Sequence, residues 1–138
     1  MQLTKETYNY LSKYIIGAAI EVHKELGPGL LESVYEETLV YFLNKRGLKI
    51  ERQVEIPIIV EGNRLNTQMR IDLLVERRII IEIKSVTEMR EVFHLQILTY
   101  LKLAKLHRGV LVNFNTVDID DSIWLKVNGF DSEATLPE

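Results

Sequence analysis

Apolar side chains between residues 4 and 26 recur at steps of three and four, the pattern of a helix with one buried face. This stripe consists of Leu11, Tyr14, Ile15, Ala18, Ala19, Val22 and Leu26. Gly27 and Pro28 end the helix, because glycine favours the position just past a helix end and proline cannot continue one. A second helix is predicted over residues 30–46, with inward side chains at Leu31, Val34, Thr38, Leu39 and Phe42.

Beyond Gly47, which ends the second helix, the apolar pattern changes to a period of two. Alternating apolar and polar side chains are typical of half-buried strands. Three strands joined by short turns are predicted, at residues 48–60, 65–75 and 79–84. Pro57 has no backbone N–H to donate, so it favours an edge strand or a bulge.

A third helix is predicted from Ser85 to about His107, because Ser85 and Glu88 have the spacing of a capping box. Its inward face would carry Val92, Phe93, Leu95, Gln96, Thr99, Tyr100 and Leu103. The continuous apolar run at residues 110–114 indicates a buried strand, and a last strand is predicted at 122–127. The strand–helix–strand unit is long enough for a right-handed crossover, which would make its two strands parallel.

These elements follow in the order α, α, β, β, β, α, β, with one further β. The fold class is therefore α/β or α+β, with helices flanking a central mixed β-sheet. The length of 138 residues fits one domain over residues 1–138. We expect its core to span about residues 10–127 and the polar tail at 129–138 to be frayed.

The composition, with 46% apolar and 27% charged residues, is that of an ordinary globular protein. The absence of cysteine excludes disulfides and thiolate metal sites and fits a reducing compartment. No apolar stretch is long enough to span a bilayer and the N-terminus lacks a signal-peptide layout, so we expect a cytoplasmic protein without a membrane partner. A net charge of −3 disfavours simple coating of nucleic acid, which would need a local basic patch or bridging cations.

Charged residues interrupt two of the predicted strands. A hairpin turn at residues 76–78 would bring Asp72 nearly opposite Glu82, and the period of two places Glu82 and Lys84 on one face. Clustered carboxylates are costly to bury unless a positive charge compensates them, and Mg²⁺ is commonly held by one or two carboxylates with waters. A solvated surface ion pair between Glu82 and Lys84 is the alternative interpretation.

The charged residues and their order among the predicted elements resemble the PD-(D/E)xK nuclease superfamily. In that resemblance Asp72 is the motif aspartate, and Glu82 and Lys84 form the (D/E)xK element. It implies a restriction-endonuclease-like α-β-β-β-α-β core and a phosphodiesterase that depends on Mg²⁺ or Mn²⁺. The implied substrate is nucleic acid, with DNA favoured over RNA.

More narrowly, the sequence GLLESVY resembles the GxxExxY pattern that names a small family within the superfamily. Gly29, Glu32 and Tyr35 occupy the three defining positions. The segments RIDLLVE, IEIKS, HLQILTYLKL and VLVNF match further blocks of that family in order, so the resemblance covers about residues 10–127.

The resemblance also implies roles for individual residues. The implied metal ligands are Asp72, Glu82, the backbone carbonyl of Ile83 and Glu32, with Lys84 as the catalytic lysine. Glu32 lies in the first turn of its helix, where the helix dipole favours a carboxylate, so capping alone could also explain it.

Gln96 and Tyr100 resemble the Q-x-x-x-Y element of nucleases attached to recombination helicases, which implies that they orient the DNA backbone or the lysine. Tyr100 could equally be a core residue with a satisfied hydroxyl. Gln96 is the stronger candidate, because an amide on an apolar stripe needs a partner. Arg70, two residues before Asp72, is the basic residue expected to touch a substrate.

Two other functions fit the same sequence. A non-catalytic nucleic-acid-binding or protein-assembly module could retain this fold without turnover, and an unrelated small α/β domain could carry only a surface ion pair. The intact set of Asp72, Glu82 and Lys84 favours the enzyme. A homodimer would join two sites or lengthen the binding groove, although no sequence feature shows one.

Overall fold

The chain opens with a helical hairpin, as predicted. In the computed structural model, which describes residues 4–129, helix α1 (Lys5–Leu26) is capped by Thr4, whose side chain accepts a hydrogen bond from the backbone N–H of Thr7. Helix α2 (Glu32–Lys45) follows and packs against α1. The predicted frayed tail lies outside the described residues from residue 130 onward.

The inward face of α2 differs from the prediction. Its buried side chains are Tyr35, Glu36, Leu39 and Leu43, whereas Leu31 is 75% exposed and Val34 is 38% exposed. The difference arises because the helix begins at Glu32, so that Leu31 is an extended residue before the first turn. Of the predicted stripe, only Leu39 is fully buried.

The loop between the two helices is fastened by Tyr35. The Tyr35 hydroxyl donates to the carbonyl of Gly27 at 2.6 Å and accepts from the backbone N–H of Leu30 at 3.1 Å. The Tyr35 ring stacks on Phe114, with centroids 4.6 Å apart and planes 8° from parallel. Gly29 has a φ of 96°, a conformation that side chains other than glycine rarely adopt. These contacts fix the position of the loop and therefore of the first turn of α2.

A five-stranded mixed sheet follows, in the spatial order β1-β2-β3-β4-β5. Its pairings are antiparallel except for the parallel pair β3–β4, which confirms the predicted meander and crossover. The strands are β1 (Ile50–Val60), β2 (Asn63–Val75), β3 (Ile79–Lys84), β4 (Arg108–Asn113) and β5 (Ile123–Val127), the last preceded by a 3₁₀ helix (Ile119–Ser122). Pro57 lies on the edge strand β1 at a register shift, as expected.

Helix α3 (Glu91–Ala104) begins later than predicted. Ser85 and Glu88 do not form a capping box: the residue before the helix is Arg90, and the Ser85 hydroxyl donates instead to the carbonyl of Leu30 at 2.5 Å. The predicted inward face is only partly confirmed: Phe93 and Tyr100 are half-buried and pack against the sheet-facing core, but apolar residues surround the helix and its most buried side differs from the predicted one. Its buried residues are Ile97, Leu101 and Ala104, while Val92, Leu95 and Leu103 are exposed.

Two apolar cores lie on opposite faces of the sheet. The α1–α2 core contains the buried faces of α1 and α2 with Ile81, Ile83 and Val112. The α3 core contains Ile97 and Leu101 with Ile80 and Leu111. Gly109 lets α3 approach β4 closely, because a Cβ at this position would lie 3.0 Å from the Ile97 Cδ1 atom.

Along the β1–β2 ribbon, the face that packs against the α1–α2 core at one end packs against the α3 core at the other. In a regular strand, residues an even number apart lie on the same face of the sheet and would pack in the same core. In both of these strands, residues two or four apart pack in different cores. Ile50 and Leu73 pack in the α1–α2 core, whereas Val54 and Ile71 pack in the α3 core. The exchange occurs between the pairs Arg52–Leu73 and Val54–Ile71, where Gln53 faces Asp72 and has a φ of 50°.

Within residues 4–129, no helix has the length and apolar character needed to cross a bilayer.

Replacing Tyr35 with phenylalanine should lower the free energy of unfolding by about 1–2 kcal/mol, because the Gly27 carbonyl and the Leu30 N–H would lose their shared partner. Chemical denaturation measures this change. Tyr41→Phe is the matched control, because Tyr41 is on the same helix but is 60% exposed, and it should change stability by less than about 0.5 kcal/mol. Equal effects of the two substitutions would show that the hydrogen bonds of the Tyr35 hydroxyl do not stabilise the loop.

Candidate active site

The β2–β3 hairpin brings two carboxyl groups together in the middle of the sheet. Leu73 pairs with Ile81, so the next residues outward are Asp72 and Glu82. Glu82 is only 5% exposed. The pKa of Glu82 is raised to about 9, mainly by burial and also by the charge of Asp72 and a hydrogen bond with Asp72, while Lys84 opposes the shift. The predicted closeness of Asp72 and Glu82 is confirmed.

Glu82 has an incomplete set of partners. Its Oε1 atom is buried and has no hydrogen-bond partner among residues 4–129, although buried carboxylate oxygens are normally satisfied. A buried acid with one free oxygen and a neighbouring carboxylate can be neutralised in two ways, by a proton or by a cation. The pKa of about 9 means that a proton fills this role at neutral pH unless a cation displaces it.

Asp72 is held from two sides. Its Oδ2 atom accepts a hydrogen bond of 2.8 Å from the backbone N–H of Ile83, and its Oδ1 atom lies 3.5 Å from the side-chain nitrogen of Gln53. Ile83, whose carbonyl is a predicted third ligand, thus contacts Asp72 directly through its backbone N–H. The two strands are joined here by a side chain rather than only by the backbone ladder.

Lys84 lies at the end of β3 on the same face as Glu82, as the period of two predicts. Its Nζ atom is 4.5 Å from the centroid of the Phe93 ring, a cation–π contact with helix α3. The charge of Lys84 lowers the pKa of both Glu82 and Glu32. The ammonium group is therefore placed among the carboxylates and supported by an aromatic face.

Glu32, in the first turn of α2, lies near this pair. Burial raises the pKa of Glu32, Lys84 lowers it, and the charges of Asp72 and Glu36 raise it. In the part of the chain that the structure describes, however, no three histidine, aspartate or glutamate side chains form a group that could hold a metal ion. The structure thus brings Glu32 to the site but not into a preformed cluster with Asp72 and Glu82.

The remaining predicted site residues differ in their placement. Tyr100 is half-buried, and its pKa is raised by burial and by the charges of Glu82 and Asp72, so it borders the site. Gln96 is exposed on α3, so the expectation of an amide on a buried stripe is wrong, and its role stays a prediction. Arg70 is exposed and forms an ion pair with Glu55, its cross-strand neighbour, at 2.9 Å.

Several residues that support the site were not singled out from the sequence. Asn113, 4% exposed at the end of β4, accepts from the N–H of Val86 at 3.1 Å and donates to the carbonyl of Val86 at 3.0 Å. It fixes the chain just after Lys84. A polar residue closing an apolar strand, as in VLVN, was the available signal. Gln53, which contacts Asp72, carried no such signal, because it reads as an outward residue of an alternating strand.

The chain was compared with solved structures and with curated proteins. A solved structure, the crystal structure of SSO0001, aligns with a TM-score of 0.45 and 19% sequence identity. The alignment covers 85% of this chain and 65% of that chain, so the present chain spans about two thirds of its length. A comparison with curated proteins finds no match.

A family model carries more weight. The model of the PD-(D/E)XK nuclease superfamily matches residues 9–124, which include most of α1, all of α2, the whole meander, α3 and β4. The order of helices and strands and the mixed five-stranded sheet agree with the core of that superfamily. The chain belongs to the PD-(D/E)XK nuclease superfamily.

Proposed function

We propose that the protein is a nuclease that depends on a divalent metal ion and hydrolyses phosphodiester bonds of nucleic acid, with DNA favoured over RNA. Asp72 and Glu82 hold the metal, the Ile83 carbonyl and Glu32 complete its ligands, and Lys84 assists the attacking water or the transition state. We further propose that the chain is a member of the GxxExxY family through Gly29, Glu32 and Tyr35. Membership in the superfamily supports the reaction class.

The observation that carries this proposal is the buried carboxyl group of Glu82. One of its oxygens has no hydrogen-bond partner within the described part of the chain, and the group lies beside a second carboxyl group and near a lysine on the same strand face. A proton can neutralise Glu82 alone, whereas a divalent cation would compensate the charges of both neighbouring carboxylates. Oxygen donors of this kind fit Mg²⁺ or Mn²⁺, and Mg²⁺ commonly takes one or two carboxylates with waters and substrate phosphates. Asp72 and Glu82 therefore supply as many carboxylate ligands as a Mg²⁺ site commonly has.

A divalent ion bound here would polarise a phosphoryl oxygen and lower the pKa of a bound water. The residues of the chain supply orientation and charge. The Ile83 N–H fixes the Asp72 carboxylate, which restricts where a ligand to it can lie. Lys84, supported by Phe93, places an ammonium group where charge develops on a phosphate.

Contacts with the substrate outside the reaction centre are proposed for three residues. Tyr100 borders the carboxylates from α3, and its hydroxyl can orient a phosphate or the lysine. Gln96, one turn before Tyr100 and exposed, is accessible to a nucleic-acid strand. Arg70 is exposed on the arm that leads to Asp72, and exchange of its Glu55 partner for a phosphate would release it to the substrate.

Asp72→Asn and Lys84→Ala should each reduce cleavage of DNA in Mn²⁺ or Mg²⁺ by at least about a hundredfold, because one removes a ligand charge and the other a charge stabiliser. Cleavage of labelled single-stranded, duplex and branched DNA, and of RNA, measures the effect. The matched controls are Asp121→Asn and Lys24→Ala, both exposed and on other parts of the fold, which should cut as wild type does.

Wild-type activity in both Asp72→Asn and Lys84→Ala would contradict the proposal. If no variant and no wild-type preparation cuts any substrate, while binding of nucleic acid survives chelation and the loss of Lys84, the protein is a non-catalytic binding module of the same fold.

Metal affinity should depend on pH through Glu82. Because burial raises the pKa of Glu82 to about 9, a cation must displace a proton below that pH. The apparent affinity for Mn²⁺ should therefore rise by up to about tenfold per pH unit from neutral pH and level off near the pKa. Calorimetric titrations in buffers of different ionisation enthalpy measure both the affinity and the released proton. Glu82→Gln has no proton to release, so its residual binding should not follow this slope.

Without metal, the same group should make the protein less stable at higher pH. The unfolded chain loses the Glu82 proton near 4.5, whereas the folded chain keeps it until about 9. The unfolded state thus binds fewer protons between these values, and the free energy of unfolding should fall as the pH rises through that window. Denaturation in a chelator, compared with Glu82→Gln, isolates this contribution. A wild type that gains stability relative to Glu82→Gln over that range would contradict the raised pKa.

A further inference from the structure

Gln53 has a backbone conformation that is unusual for a strand. Its φ is 50°, in the left-handed region, although it lies in the middle of β1 and is not glycine. Such residues persist where the surrounding structure holds them, and they concentrate at functional sites. Gln53 faces Asp72 across the ribbon, at the point where both strands change from one apolar core to the other.

The Gln53 side chain bridges two carboxyl groups. Its Nε2 atom donates to Glu36 Oε1 at 2.6 Å and reaches Asp72 Oδ1 at 3.5 Å. Ionised carboxylates only accept hydrogen bonds, so the NH₂ end of the amide must face both of them. The amide therefore keeps two like charges at a fixed separation, one on helix α2 and the other on strand β2.

The Glu36 end of this bridge is anchored. Glu36 is 7% exposed, and its second oxygen accepts from Arg52 Nε at 3.1 Å and from Arg52 Nη2 at 3.0 Å. Two bonds from one guanidinium restrict the carboxylate in position and rotation. Arg52 and Gln53 are adjacent on β1, so two neighbouring residues donate hydrogen bonds to both oxygens of the buried Glu36 carboxylate.

We propose that Gln53 is a positioning residue for Asp72, with Glu36 and Arg52 as its anchor to helix α2. This inference rests on the proposed function, because it assigns Asp72 as the group to be positioned. The left-handed conformation is the means by which a strand residue reaches both carboxylates at once. Helix α2 also carries Glu32, so the same bridge sets the distance between the helix and strand contributions to the site.

Gln53→Gly provides the test, because glycine accepts a positive φ while removing the amide. Two readouts are expected to change. The Ile83 N–H, which donates a hydrogen bond to Asp72, should exchange with solvent about tenfold faster. The affinity for Mn²⁺ should also fall about tenfold, which is the lower end of the loss seen when residues that support metal ligands are removed. Exchange is followed by NMR in chelator, and Mn²⁺ binding by calorimetry.

Glu61→Gly is the matched control, because Glu61 also has a φ of 50° but lies in the β1–β2 turn. It makes the same backbone change away from the site and should leave both readouts at wild-type values. Should Gln53→Gly fail to fold, Gln53→Asn replaces it: asparagine tolerates the left-handed region, but its shorter amide cannot span both carboxylates.

Ile83 exchange equal to that of Glu61→Gly would overturn the proposal, and so would faster exchange with an unchanged Mn²⁺ affinity. Faster exchange in a protein whose wild type binds no Mn²⁺ would instead refute the proposed function, while the hold of Gln53 on Asp72 would stand. If Ile83 N–H exchange becomes faster and Mn²⁺ affinity falls in Gln53→Gly but not in Glu61→Gly, the proposed function and the positioning role of Gln53 are both supported.

Discussion

The close approach of two carboxyl groups inside a buried hairpin is the constraint on which the arrangement of this protein depends. Glu82 lies on a strand with four buried isoleucines, and Asp72 approaches it from the neighbouring strand. Burial and mutual repulsion both act against the charged forms of these two groups. Each neighbouring feature, from the Ile83 amide to the Lys84 ammonium, fits as a response to that cost.

Three layers of the fold meet at this pair. Helix α2 contributes Glu32 from one face of the sheet, helix α3 contributes Phe93 and Tyr100 from the other, and the sheet holds the carboxyl groups between them. The β1–β2 ribbon passes from one core to the other at the level of Asp72, between the pairs Arg52–Leu73 and Val54–Ile71.

Much of the fold was predictable because its signals are local. The period changes at Gly47, and the turn at residues 76–78 separates two apolar runs, so the order of elements and the position of β3 follow directly from the sequence. The faces of α2 and α3 were not predictable in this way. Both helices are apolar on several sides, and tertiary contacts such as the approach of Ile97 to Gly109 decide which side is buried.

The candidate site shows the same division. Asp72, Glu82 and Lys84 could be found because a charge inside an apolar strand is locally conspicuous. Gln53 and Glu36 could not, since each reads as an ordinary polar position and acquires its meaning only from partners distant in sequence. The prediction that Gln96 lies on a buried stripe was wrong. It was inferred from the apolar neighbours of Gln96 along the helix, but that side of the helix faces solvent.

The alternation along β3 has a consequence for how the chain finds its fold. Ile81 and Ile83 face the α1–α2 core, and Glu82 and Lys84 face the opposite way. A hairpin paired one residue out of step would drive both charges into that core and expel the two isoleucines from it. The charged residues of the candidate site on β3 therefore also penalise the nearest misfolded pairing, so the same side chains define the candidate site and favour the correct register of the hairpin.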